Sequence, residues 1–193
     1  GVAGWHVSGM VFYDQPTDTE HFRIYQKNML FLERDRAPLM ADIRASGADV
    51  VTLQEVSRVN VAMIESLRDL YPHQLLCNAH SVGAVAILSQ TPLEREECGE
   101  HYGFAQAVTQ VRGRMVRVVS VHLHWPYPYG QQDHARRMIG DLSPLEGGQT
   151  VIGGDFNMVA SGRSIAWFEN KTQTARVGPL VRTFDLFGYP LGI

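Results

Sequence analysis

Short apolar runs alternating with helical patterns give the first picture of this chain. Phe22 to Asn28 reads as a strand. Pro38 to Ser46 carries Leu39, Ile43 and neighbouring apolar positions at three- and four-residue spacing, the period of a helix with one buried face. Gly47 ends that helix. Val50 to Leu53 is a β-branched apolar run that suits a buried strand, and Val61 to Leu70 returns to helical spacing through Ile64 and Leu67. Ala84 to Leu88 is another short buried strand. Two β-rich runs, Ala107 to Val111 and Met115 to Val121, flank Arg112-Gly113, which is a hairpin pattern. A polar, helix-permissive stretch covers Gln131 to Leu142, and the strand Thr150 to Ile152 runs into Gly153-Gly154-Asp155-Phe156-Asn157. Mixed αβ units with an antiparallel hairpin predict a layered α/β protein whose sheets are not purely parallel.

Composition narrows the class. The chain has 193 residues, 45% hydrophobic and 19% charged, which is ordinary globular usage and excludes disorder, collagen-like repeats and coiled coil. No repeat or Pro/Gly/Ser-rich linker divides it, so one domain over residues 1–193 is expected, with residues 1–20 as an N-terminal extension. With 17 basic and 20 acidic residues and a formal charge of -3, the chain lacks the basic excess that holds nucleic acid by charge alone. A polyphosphate ligand would need positive charge from another source. Cys77 and Cys98 form no CxxC pair and no zinc-ligand spacing, so neither a structural zinc site nor a disulfide scaffold is expected, and their redox state is open. No stretch approaches the roughly 20 apolar residues that span a bilayer. Gly1 to Met10 lacks the charged and apolar regions of a signal peptide.

Four places put polar side chains directly after an apolar strand, where a sheet presents chemistry at its edge: Asn28, Gln54-Glu55, His122 with His124, and Asp155 with Asn157. Each also has a plain reading. Asn28 is a common turn residue, Glu55 a helix cap or surface charge, either histidine a satisfied core residue, and a Gly-Gly-Asp turn is frequent. As residues two apart on a strand, His122 and His124 are expected on one face, as are Asp155 and Asn157. Together the set has a chemical logic. A hard divalent cation takes oxygen ligands such as Glu55 and the Asn28 amide. Asp155 can act as base for a water, Asn157 can position it or donate to an oxyanion, and a histidine can stabilise phosphoryl oxygens or protonate a leaving group. A metal would also supply the missing positive charge.

The order Asn28, Gln54-Glu55, His122-Leu123-His124 and Gly154-Asp155-Phe156-Asn157, each after a strand, closely resembles the endonuclease/exonuclease/phosphatase superfamily. The resemblance runs from about Phe22 onward. It implies a DNase-I-like, four-layer α/β/β/α sandwich of two mixed sheets with the site at one end. It further implies that Glu55 ligates Mg2+ or Mn2+ with Asn28 close to the metal or phosphate. His122, with His124 beside it, would touch the scissile phosphate, and Asp155 would orient or deprotonate the attacking water next to Asn157. The activity implied is metal-dependent hydrolysis of a phosphoester, of nuclease, phosphodiesterase or phosphatase type.

Family members end with an Asp-His pair on a final strand, whereas this sequence stops at Tyr189-Pro190-Leu191-Gly192-Ile193, and Asp185 stands in a different context, Thr183-Phe184-Asp185. An alternative expectation is therefore a catalytically impaired binding or scaffold protein with the same fold. The substrate is a nucleic acid, a phospholipid or a prenyl pyrophosphate, with no protein partner and a monomeric state expected. The aromatics of His124-Trp125-Pro126-Tyr127-Pro128-Tyr129 can stack on bases, line a lipid groove or cap the sheet. The Trp-Pro-Tyr-Pro pattern is similar to bacterial members with membrane helices ahead of an extracytoplasmic catalytic domain.

Overall fold

The run Val50 to Leu53 lies at the heart of a four-stranded mixed sheet in the computed structural model, which describes residues 22–31, 35–78, 82–142, 145–158 and 162–175 and the backbone of residues 184–186 and 189–191. The strands of that sheet are β1 (Ile24–Asn28), β2 (Val50–Gln54), β3 (His73–Cys77) and β4 (Val85–Ser89), in the order β1-β2-β4-β3. Only the β1/β2 pair is parallel. A second four-stranded sheet follows the order β5-β6-β7-β8, with β5 (Leu93–Cys98), β6 (Phe104–Val111), β7 (Arg114–His122) and β8 (Gln149–Asp155). Here only β7/β8 is parallel. Two short strands, β9 (Phe184–Leu186) and β10 (Tyr189–Leu191), pair antiparallel. The expected N-terminal extension lies outside the described residues, as do the side chains at the C-terminal end, including Asp185.

Strand alternation builds the layers. Val51 and Leu53 of β2 face outward and pack with Ile43 of helix α1 (Ala37–Ser46) and Ile64 of helix α2 (Val61–Glu65). Val50, Val85 and Ile87 face the other way and meet Ala105, Ala107, Val116 and Val118 between the two sheets. On the far side of the second sheet, Val119 and Val121 pack with Ala135 and Met138 of α3 (Gln131–Asp141) and Phe168 of α4 (Arg163–Thr172). Each such valine, leucine, isoleucine, methionine or phenylalanine contributes about 1.5–3 kcal/mol by leaving water. The result is the expected α/β/β/α sandwich, with β1 lying over β8 and β2 over β7 and β8. That stacking brings the C-terminal ends of β1, β2, β7 and β8 to one end of the molecule.

Two local features explain specific residues. Arg112 and Gly113 both have positive φ, 51° and 76°, so Val111 pairs directly with Arg114 across a two-residue turn. A methyl group added at Gly153 would overlap Thr52 Oγ1 on the facing sheet, so β8 can lie close to β2 only with glycine there.

The expected helix Val61 to Leu70 is shorter than its pattern. It ends at Glu65, and the bonds Leu67 N to Ile64 O and Arg68 N to Glu65 O tighten the chain so that Leu67 and Tyr71 both reach the core. The redox state of the cysteines, open from the sequence, is set by pairing: Cys77 and Cys98 form a single disulfide. It joins β3 to β5, the edge strands of the two sheets, a proximity created by sheet stacking and invisible in sequence spacing.

Candidate active site

Alternate residues of a strand share a face, so Gln26 and Asn28 of β1, Gln54 of β2, Ser120 and His122 of β7, and Asp155 of β8 all turn toward the space between the sheets. Its floor is a polar chain in which the exposed Gln26 donates through Nε2 to Gln54 Oε1 at 2.7 Å, and the buried Gln54 donates through Nε2 to the buried Ser120 Oγ at 3.1 Å. Satisfied in this way, the buried Gln54 amide fixes how one sheet sits on the other.

Above that floor, at the strand ends, the ligand atoms of Glu55, His122 and Asp155 lie within 4.8 Å of one another. Glu55 is one residue past β2 and would face away if the strand continued. Its φ of 56° turns it back into the cluster. A non-glycine residue held there costs on the order of 1–3 kcal/mol and persists only where its surroundings impose it. Here Glu55 Oε2 accepts the Phe31 N–H at 2.7 Å, and Oε1 accepts the Asn28 Nδ2 at 2.9 Å.

Asn28 bridges the two carboxylates, since its Nδ2 also donates to Asp155 Oδ2 at 2.7 Å. Its Oδ1 accepts the Leu30 N–H at 2.8 Å. The residue therefore stands beside the cluster and turns its nitrogen rather than its oxygen toward it, because only the nitrogen can donate to two carboxylates. His122 Nε2 stands 3.6 Å from Glu55 Oε1, and its buried Nδ1 has no hydrogen-bond partner among the described residues.

Strand alternation fails for two expected neighbours. β7 ends at His122, so His124 is no longer on the strand. Its ring packs 4.0 Å from the ring of His134 and 6.0 Å from that of Tyr129, outside the 4.8 Å cluster. Partial desolvation of its ring, with His122 and Arg137 nearby, holds His124 below the ordinary histidine pKa. β8 likewise ends at Asp155, and Asn157, with φ 48°, turns into the protein. Its Nδ2 donates to Leu123 O at 2.7 Å and its backbone N–H to Asp155 Oδ1 at 2.8 Å. Asn157 thus orients Asp155 and ties the β7 and β8 loops together.

Two supporting residues lie in the stretch read only as a polar helix. Gln131 Nε2 donates to the carbonyls of His124 at 2.7 Å and Phe156 at 3.0 Å, joining both loops to the start of α3. His134 Nδ1 accepts the His124 N–H at 3.2 Å, and its Nε2 lies 2.8 Å from Tyr102 O. The signal was present in the spacing: Gln131, His134, Ala135 and Met138 stand at i, i+3, i+4 and i+7, a helical core face that includes two polar residues.

Two carboxylates held this close with an imidazole, and only a neutral amide between them, form a donor set that fits a hard divalent cation. The Endonuclease/Exonuclease/phosphatase family model matches residues 26–191. The chain belongs to this family. Among solved structures it is similar to sphingomyelinase C from Streptomyces griseocarneus, at 19% identity and TM-score 0.56 over 80% of this chain and 70% of that one. A mutant beta toxin from Staphylococcus aureus with bound magnesium ions aligns at 15% identity and TM-score 0.61, over 80% and 71% of the two chains. TDP2 from Caenorhabditis elegans aligns at 19% identity and TM-score 0.57, over 82% of this chain and 51% of its own. At these identities the likeness concerns the fold, and it bears out the DNase-I-like sandwich. Among curated proteins, none matches the chain.

Proposed function

We propose that this family member is a divalent-metal-dependent phosphoester hydrolase that uses Mg2+ or Mn2+. The observation carrying this reading is the convergence of Glu55, His122 and Asp155, which lie far apart in sequence, within 4.8 Å at one end of the sandwich. Glu55 and Asp155, with Asn28 beside them, would hold the ion. When bound, the ion supplies the positive charge that a phosphoester needs at a protein of net charge -3.

The protein groups then divide the remaining work. Asp155, oriented by the Asn157 N–H on Oδ1, accepts a proton from the attacking water. His122 Nε2 donates to a phosphoryl oxygen. Asn28 exchanges its carboxylate contacts for one to the substrate phosphate. The scarcity of basic residues favours small or single phosphoesters over long duplex DNA. The Cys77–Cys98 disulfide supports a site of action outside the cytoplasm, because such bonds persist in oxidising compartments.

The test is hydrolysis of a simple phosphodiester with Mg2+ or Mn2+, with and without a chelator. Wild type should be active only with the metal, and Asp155→Asn should be folded and inactive. Activity that survives exhaustive chelation would end this reading, and a folded protein inert with every divalent ion would favour the scaffold alternative.

A further inference from the structure

The loops around the site carry most of the large apolar side chains that the described residues leave in water. After β7, Trp125, Tyr127 and Tyr129 are exposed, Tyr127 at 88%. Across the cluster, Leu30 follows β1 and Val59, 75% exposed, follows β2. Because β4 and β6 run antiparallel to β2 and β7, the exposed Val82 and Tyr102 that precede them sit at the same end. Among the described residues, the exposed large apolar side chains at the far end are Leu70 and Met115.

Contacts tie these loops into two groups that flank the cluster. Arg36 donates to Leu30 O at 2.9 Å and, through Nε, to Asn60 Oδ1 at 2.9 Å, tying the Leu30 and Val59 loops together. Opposite, His134 links Tyr102 to the His124 backbone, and the Tyr129 ring packs 6.0 Å from that of His124. Scattered exposed apolar residues need no explanation, but a cluster at one functional end marks an interaction surface.

We infer that these loops dock the protein on a phospholipid bilayer surface, with the Glu55, His122 and Asp155 cluster facing the headgroups. The choice of a phosphate-bearing surface rests on the hydrolase reading above. Tyr and Trp favour the membrane interface, and Pro126 and Pro128 remove two backbone donors that would otherwise need water. The aliphatic members Leu30, Val59 and Val82 cannot stack on bases, and a net charge of -3 gives no electrostatic hold on nucleic acid. Apolar insertion, unlike charge pairing, is not screened by salt.

The full chain is sedimented with phosphatidylcholine vesicles and, in parallel, with anionic vesicles in chelator, at low salt and at about 0.5 M NaCl, where surface charge effects are largely screened, and is titrated separately with a short single-stranded DNA. Wild type should pellet under both conditions, and Tyr127→Ser combined with Val59→Ser should lower vesicle partitioning roughly ten-fold or more. Hydrolysis of a soluble phosphodiester should be unchanged in the double variant. A wild-type protein that stays in the supernatant, equal partitioning of the variant, or binding confined to anionic vesicles at low salt would overturn the docking surface. So would tight binding of a short single-stranded DNA that the variant loses. Vesicle binding without soluble-ester hydrolysis would leave the surface standing and remove the hydrolase reading alone.

Discussion

His134 gives this fold a calculable sensitivity to acid. Its side chain is 2% exposed on α3, and burial, together with the nearby positive charge of His124, Arg137 and His101, pushes its pKa down to about 4, although the bond to Tyr102 O acts in the opposite sense. In the unfolded chain the same group titrates near 6.5. Between those values the unfolded state holds a proton that the folded state lacks. Stability is therefore complete above about pH 6.5 and declines as pH falls toward 4. From pH 7.5 to 5.0, where most carboxylates remain ionised, the loss from this residue is about 2 kcal/mol. His134→Gln keeps an acceptor for the His124 N–H and a donor for Tyr102 O but does not titrate. Urea unfolding of both proteins at the two pH values isolates the effect: the variant should be less stable at pH 7.5, and its deficit should shrink by about 2 kcal/mol at pH 5.0. A deficit that is the same at both pH values would refute the reasoning, because it would mean that folded His134 protonates as readily as unfolded.

Three further outcomes follow from the packing. Reducing the Cys77–Cys98 bond, which closes a separation of 21 residues, should lower unfolding free energy by about 3 kcal/mol, read as a fall in the urea midpoint with reductant. Gly153→Ala should cost about 1–3 kcal/mol and lower the melting temperature, because Thr52 Oγ1 occupies the space its methyl needs. Gln131→Ala should lower kcat roughly ten-fold in the folded protein at saturating metal, since both site loops lose their shared donor; unchanged kcat would reduce Gln131 to a structural role.

The central strands were legible because β-branched apolar residues at Val50 to Leu53 and Val116 to Val121 satisfy burial whatever their neighbours. The candidate cluster was legible for a related reason: Asn28, His122 and Asp155 each end a strand on its inward face, so strand ends read as chemistry lead to these positions. β5, Leu93–Cys98, was not, since a charged edge strand is held by pairing to β6 rather than by its own pattern, and it carries an irregularity between Glu94 and Glu97. The Glu55 turn, the departure of His124 from the strand and the disulfide all depend on backbone conformation or sheet stacking. None of these has a local sequence signature.

Direct metal binding tests the central claim most closely. Mn2+ binding followed by paramagnetic resonance should show one saturable site per chain that Mg2+ displaces. Glu55→Gln should weaken it by roughly ten-fold or more while leaving the folded state intact. Stoichiometric binding that Glu55→Gln and Asp155→Asn both leave unchanged would place the ion elsewhere and contradict the account.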